Sequence, residues 1–132
     1  MTDRDLSLDS FFQALADRTR LRLLHLMRGG EVCVCFFVEV LGEPQPKISR
    51  HLGHLRKAGL VTARRDGKWI HYGLAPIDDP YRHLLEAALD AAADVREMQR
   101  DRMVLERACC ATRLPVSLRN APRPTLVFGT TN

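Results

Sequence analysis

Apolar positions along the chain follow a helical period, then a two-residue period, then a helical period again. Phe11, Phe12 and Leu15 offer one apolar face in a helix that starts over Ser10 to Ala16. Leu21, Leu24 and Met27 recur at helical spacing in a second helix, with Leu23 widening the stripe. Asp17 stands where a carboxylate can accept the unpaired N–H groups of that helix start, and Gly29-Gly30 ends it. A short third helix is predicted from about Val34 to Leu41, stopped by "GEPQP". Pro46 then suits the first turn of a fourth helix, whose Ile48, Leu52 and Leu55 fall at i, i+4 and i+7 before Gly59 stops it.

The period shortens after Gly59. "LVTARR" and "KWIHYGL" are strand-like runs around the turn signal Asp66-Gly67, which predicts a hairpin. Leu60 and Val61, then Trp69 or Ile70, anchor this ribbon, while Arg64, Arg65 and Lys68 crowd its tip. Helical spacing returns after Asp79-Pro80, a suitable cap and first turn. Leu85, Ala88, Ala92 and Val95 trace a stripe along one long helix extending toward Cys110, about 45 Å at ~1.5 Å per residue. A helix that long on a small domain needs a second partner to cover it, which predicts a dimer. From Arg113 onward Pro115, Pro122, Pro124 and "GTTN" suggest a loose tail. The predicted organisation is one domain over 1–112 and a flexible tail over 113–132.

Composition narrows the picture. The 132 residues, 45% of them hydrophobic, suit a single compact domain. No run approaches the ~18–20 apolar residues of a membrane span. The acids in "MTDRDLSLDSFFQ" are unlike a secretory leader, so a cytoplasmic setting with reduced thiols is expected. A net charge of +4 and a pI near 9.2 are only mildly basic. The distribution is more telling: Lys47, Arg50, Arg56, Lys57, Arg64, Arg65 and Lys68 crowd one window against Asp66 alone. A merely solvated helix face usually mixes both signs.

Short helices, a second basic helix and a basic-tipped hairpin form a winged helix-turn-helix pattern, mainly α with a β-hairpin wing. A helix with cationic and hydrogen-bonding residues on its outer face fits the major groove of double-stranded DNA. Gln45, Lys47, Ser49, Arg50, His51 and His54 are the candidate contacts there. Arg64, Arg65 and Lys68 suit phosphates, which position the protein without reading sequence. "QPKISRHLGHLRKAGLVTARRDGKWIHYGL" closely resembles the helix–wing segment of the ArsR/SmtB family of metalloregulatory repressors. "ALADRTRLRLLHLM" resembles that family's preceding helices, with Arg18 where a proline is common. The likeness spans roughly residues 8 to 100. It implies a homodimeric repressor, not an enzyme, which dimerises through its first and last helices and leaves operator DNA when its inducer binds.

"EVCVCFF" resembles the "CVC" signature of the arsenical repressors within that family. Cys33 and Cys35 match its first two positions, and Val38 stands where the third cysteine belongs. Trivalent arsenic or antimony, As(III) or Sb(III), is thiophilic and is the expected inducer. Cys109 and Cys110 supply the remaining thiols, and one of them is expected to complete the site, within or between subunits. The two pairs could also act separately, or only one pair could be functional. A monomethylated arsenical, which leaves two positions for protein sulfur, could use the vicinal cysteines alone. Zinc wants four ligands, often with histidine, and 90–110 contains none. On an ideal helix residues i and i+2 diverge by about 200°, so chelation by Cys33 and Cys35 is expected to distort the start of the third helix.

A thiol-redox or persulfide-sensing repressor is the second possibility. A C-x-C oxidoreductase is the third, and no parallel βαβ pattern supports it. His25 and His83 are expected to be ordinary surface or partly buried histidines. Phe36 and Phe37 suit the core or a dimer contact.

Overall fold

The computed structural model describes residues 7–110, 118 and 120–125, apart from the side chain of Cys110. The first helix, α1 (Leu8–Leu15), begins earlier than its apolar face suggests. The reason is a capping box, in which the Ser7 backbone N–H donates to Ser10 Oγ at 3.2 Å and the Ser10 N–H donates to Ser7 Oγ at 3.4 Å. Phe11, Ala14 and Leu15 face inward while Phe12 is 49% exposed. In α2 (Arg18–Leu26), Asp17 caps as expected, accepting the Arg20 N–H at 3.0 Å. Arg20 reaches back to the end of α1, donating to the Ala14 and Gln13 carbonyls at 2.8 and 2.9 Å.

Residues Val32–Cys33 form a short strand, β1, which the sequence did not suggest. It leads directly into α3 (Val34–Leu41), closed by Gly42 in the left-handed region at φ 68°. The basic helix α4 (Gln45–Lys57) buries Ile48, Leu52 and Leu55 completely, each contributing about 1.5–3 kcal/mol. Its end is sealed by Gly59 at φ 84° and by the Leu60 N–H donating to the Leu55 carbonyl at 3.0 Å.

The hairpin consists of β2 (Val61–Asp66) and β3 (Trp69–Leu74), in register from Val61–Leu74 to Asp66–Trp69. β1 adds to its free side, giving an antiparallel sheet in the order β1-β3-β2. The mainly helical architecture with a β-hairpin wing is therefore present. Among the described residues no helix is long and apolar enough to cross a membrane.

The single long helix is not. It divides into α5 (Tyr81–Ala92) and α6 (Arg96–Cys110). The cause lies outside the segment. Asp101, almost fully buried, accepts from Arg22 Nε at 2.7 Å and Nη2 at 2.9 Å, which draws α6 against α2. The amide of Gln99 secures the bend by donating to the Ala93 carbonyl at 3.0 Å. Met98 and Leu105 of α6 are buried in turn. His25, expected at the surface or partly buried, is almost fully buried as well. Within the tail, Leu118 and Ala121 are buried in the core, and Arg123 donates to the Cys109 carbonyl at 3.5 Å. Residues 111–117, 119 and 126–132 of the expected loose tail lie outside the described residues.

Removing one partner of a buried ion pair leaves the other charge uncompensated. We predict that Asp101→Ala destabilises the protein by about 3–5 kcal/mol in urea unfolding. The paired replacement R22M/D101L recovers most of that loss. A cost for Asp101→Ala below about 1 kcal/mol would show that the pair does not hold α6 in place.

Candidate functional site

Cys33 is at once the last residue of β1 and the N-cap of α3, with extended dihedrals of φ −68° and ψ 142°. The chain changes from extended to helical between the two cysteines. The ideal-helix divergence therefore does not apply to this pair: Cys35 Sγ lies 3.2 Å from Cys33 Sγ and donates to it. At the ~2.3 Å metal–sulfur distance of soft thiolate sites, sulfurs this close subtend about 90° at a shared ion. A pyramidal ion fits that angle; a tetrahedral one needs a wider pair.

The thiols differ in acidity. The proton donated by Cys35 is the main cause that lowers the Cys33 pKa to about 6; burial opposes it, and the N–H groups of Cys35 and Ile70 and the nearby His71 assist. The same hydrogen bond, with burial, pushes the Cys35 thiol far up. One thiolate sharing one proton is the state these contacts favour.

His71 was not singled out from the sequence. It is directly across the β1–β3 pairing from Cys33, buried, with Nε2 3.8 Å from Asp66 Oδ2. Reading "EVC" as a strand would have been the signal to find it. Among the described residues, no group of three or more His, Cys, Asp or Glu is arranged to hold a metal ion. Cys109 is half-buried near the end of α6, and both Cys109 and Cys35 pack against the one core, where α3 and α6 are in contact. The Cys110 side chain lies outside the described residues.

The basic face is built on α4 and the hairpin. Gln45, Ser49, Arg50 and His54 are exposed. Lys47 is partly engaged, its Nζ 3.1 Å from Glu43. His51 turns inward, with Nδ1 3.3 Å from Arg20 Nη1 and 3.9 Å from Asp17, and burial lowers its pKa. Arg50, His54 and Lys57 line a groove against Ser10 and Gln13 of α1. On the wing, Arg64 binds Glu31, with Nη2 and Nε at 2.8 and 3.0 Å from Oε1. Arg65 Nη1 donates to the Gly67 carbonyl at 3.2 Å, and Lys68 Nζ lies 5.1 Å from the centre of the Trp69 ring.

The family model described as bacterial regulatory protein, arsR family, matches residues 17–63. The arsenical resistance operon repressor of Escherichia coli (strain K12) is 52% identical over 66 residues, which cover 49% of this chain and 56% of that protein. The arsenic resistance transcriptional regulator ArsR2 of Pseudomonas putida (strain KT2440) is 43% identical over 82 residues, covering 61% of this chain and 71% of that protein. The chain thus spans little more than half the length of the first of these relatives. Among solved structures, a homodimeric winged helix-turn-helix DNA-binding domain from Mycobacterium bovis, a possible ArsR-family regulator, superposes with a TM-score of 0.55. It is 28% identical and covers 73% of this chain and 91% of that one.

A folded-state pKa lowered to about 6 sets a sign for Cys33. The unfolded thiol retains its proton up to ~8.5, so Cys33 should make stability rise between those values and fall as pH drops through 6. Thiolate ultraviolet absorbance of the C109S/C110S variant should show one step near pH 6, moved upward by Cys35→Ser. A single step near the ordinary thiol pKa in both proteins would contradict this arrangement.

Proposed function

The chain belongs to the ArsR family of bacterial regulatory proteins, and from that premise we propose that it is a homodimeric repressor released from operator DNA by a trivalent metalloid. Its relatives and fold are those of transcriptional regulators rather than enzymes. The observation that carries the inducer reading is the Cys33–Cys35 pair, 3.2 Å apart at the head of α3. As(III) or Sb(III) binds these two sulfurs and takes a third from Cys109 or Cys110.

In this reading α4 enters the major groove, where Gln45, Lys47, Ser49, Arg50, His51 and His54 supply contacts. Arg64, Arg65 and Lys68 meet phosphates. The half-buried position of His51 suits a role in holding α4 against α2, with a base contact only after it turns outward. Exposed Leu8 and Phe12 of α1 and Met103 of α6 suit burial against a second copy. The inducer acts on the wing as well as on α3, because Cys33 pairs with His71 of β3. A coupling of ~1–3 kcal/mol is enough to change DNA affinity about 5–150-fold.

A second reading has its own support. Two preorganised thiols, with no third donor clustered among the described residues, suit a monomethylated arsenical. Oxidation of Cys33 or Cys35 to a bridge with a C-terminal cysteine is the redox alternative.

Release of a labelled operator duplex separates these readings. Arsenite should release wild type but neither Cys33→Ser nor Cys35→Ser. Loss of the arsenite response in Cys109→Ser or Cys110→Ser identifies the third sulfur, and an unaltered response in both rejects the bridged site. Retention by methylarsenite of full effect on C109S/C110S would favour the second reading. If reduced protein ignores arsenite but leaves DNA on oxidation, the metalloid reading fails. Arg64→Ala should weaken binding on all sequences and lower the salt slope by about one unit. Lost discrimination at one base pair with an unchanged slope would contradict a phosphate role.

A further inference from the structure

The contact between Arg64 and Glu31 joins two parts of the chain with different proposed tasks. Glu31 immediately precedes β1 and stands two residues before Cys33, whereas Arg64 is on the outer strand of the wing. Between them runs β3. The pairings Val32–Tyr72 and Thr62–Gly73 set Glu31, Gly73 and Thr62 in one row across the sheet. The Glu31 side chain crosses β3 at Gly73, the strand position without a side chain. A Cβ added at Gly73 would lie 3.1 Å from Glu31 Cγ. A glycine inside a strand often marks such a close approach.

We propose that Glu31 is a latch on the wing arginine: it holds Arg64 across Gly73 in the free protein and competes with DNA phosphate for it. Three features support this. Glu31 engages Nε and Nη2, the guanidinium edge that also suits a phosphate. Both side chains remain about half exposed, at 55% and 43%, so a phosphate can reach the pair and displace the carboxylate. The latch also makes the wing electrically neutral at this position until DNA arrives. Glu31, Val32 and Cys33 are consecutive, so the latch is the shortest chain connection between the thiol pair and a proposed phosphate contact. The proposal rests on reading Arg64 as that contact, and its test separates the two ideas.

A labelled random-sequence duplex is the probe, since phosphate contacts do not depend on sequence. Glu31→Gln keeps the shape and removes the charge; Gly73→Ala alters no charge but displaces the Glu31 side chain. Each should tighten binding by about two- to fivefold, the effect of releasing one exposed ion pair, and steepen the salt slope by up to about one unit. Neither should have that effect in the Arg64→Ala background. If Arg64→Ala weakens binding while Glu31→Gln and Gly73→Ala leave affinity and slope unchanged, the latch is overturned and the phosphate contact stands. An Arg64→Ala protein that binds like wild type removes the phosphate contact, and the latch with it.

Discussion

The pairing of Val32 and Cys33 with β3 is the constraint from which the site's geometry follows. To pair, Cys33 must be extended; to build α3, the chain must be helical from Val34. Within an uninterrupted helix the two cysteines would point about 200° apart. The junction brings their sulfurs to 3.2 Å instead. The same register puts His71 opposite Cys33 and lets Glu31 cross at Gly73. Two residues of ladder thus set the thiol pair, its neighbouring imidazole and the carboxylate that holds Arg64. A displacement of Cys33 has direct structural routes into both α3 and the wing.

Charge on the proposed DNA face is conditional for a related reason. The window from Lys47 to Lys68 is strongly basic in sequence, yet Glu43 lies beside Lys47 and Glu31 beside Arg64. Both acids come from outside the window. Exposed pairs of this kind contribute roughly 0.2–1 kcal/mol and weaken with salt. They set a threshold for binding rather than block it, because a polyanion competes for the same cations. Arg50 and His54 stay exposed on the face of α4. Contacts in the proposed groove can therefore form first, with the paired cations exchanging partners afterwards.

Local signals made much of the fold legible. Asp17 caps α2, the Ile48–Leu52–Leu55 stripe is buried, and Asp66-Gly67 turns the hairpin as their positions suggested. β1 was not legible because two residues are too few to establish a period. The break between α5 and α6 was hidden for a different reason. The stripe of Leu85, Ala88 and Ala92 continues to Val95, and the contact that draws α6 inward comes from Arg22, 79 residues before Asp101. His25 is more deeply buried than the surface or partly buried position expected of it, because α2 is covered on that side by α6, an arrangement with no local signature. For the candidate site, spacing and family likeness are what point to the cysteines. Their mutual geometry, His71 and Glu31 were not legible, because all three depend on the β1–β3 register.

The Arg22–Asp101 pair also bears on where a third sulfur can come from. A straight helix from Tyr81 to Cys110 would project its end away from the domain. With the bend, α6 packs on α2 and α3, and Cys109 joins the core that Cys35 also touches. Leu118 and Ala121 return to that core beyond the helix, with Arg123 donating to the Cys109 carbonyl. A ligand carried by an already packed helix loses less conformational freedom on closing a chelate than one recruited from a flexible tail. If the proposed three-thiolate site forms, this ordering favours a third sulfur from the same chain. In the proposed mechanism, changes to Arg22 or Asp101 bear on metalloid affinity through the position of α6.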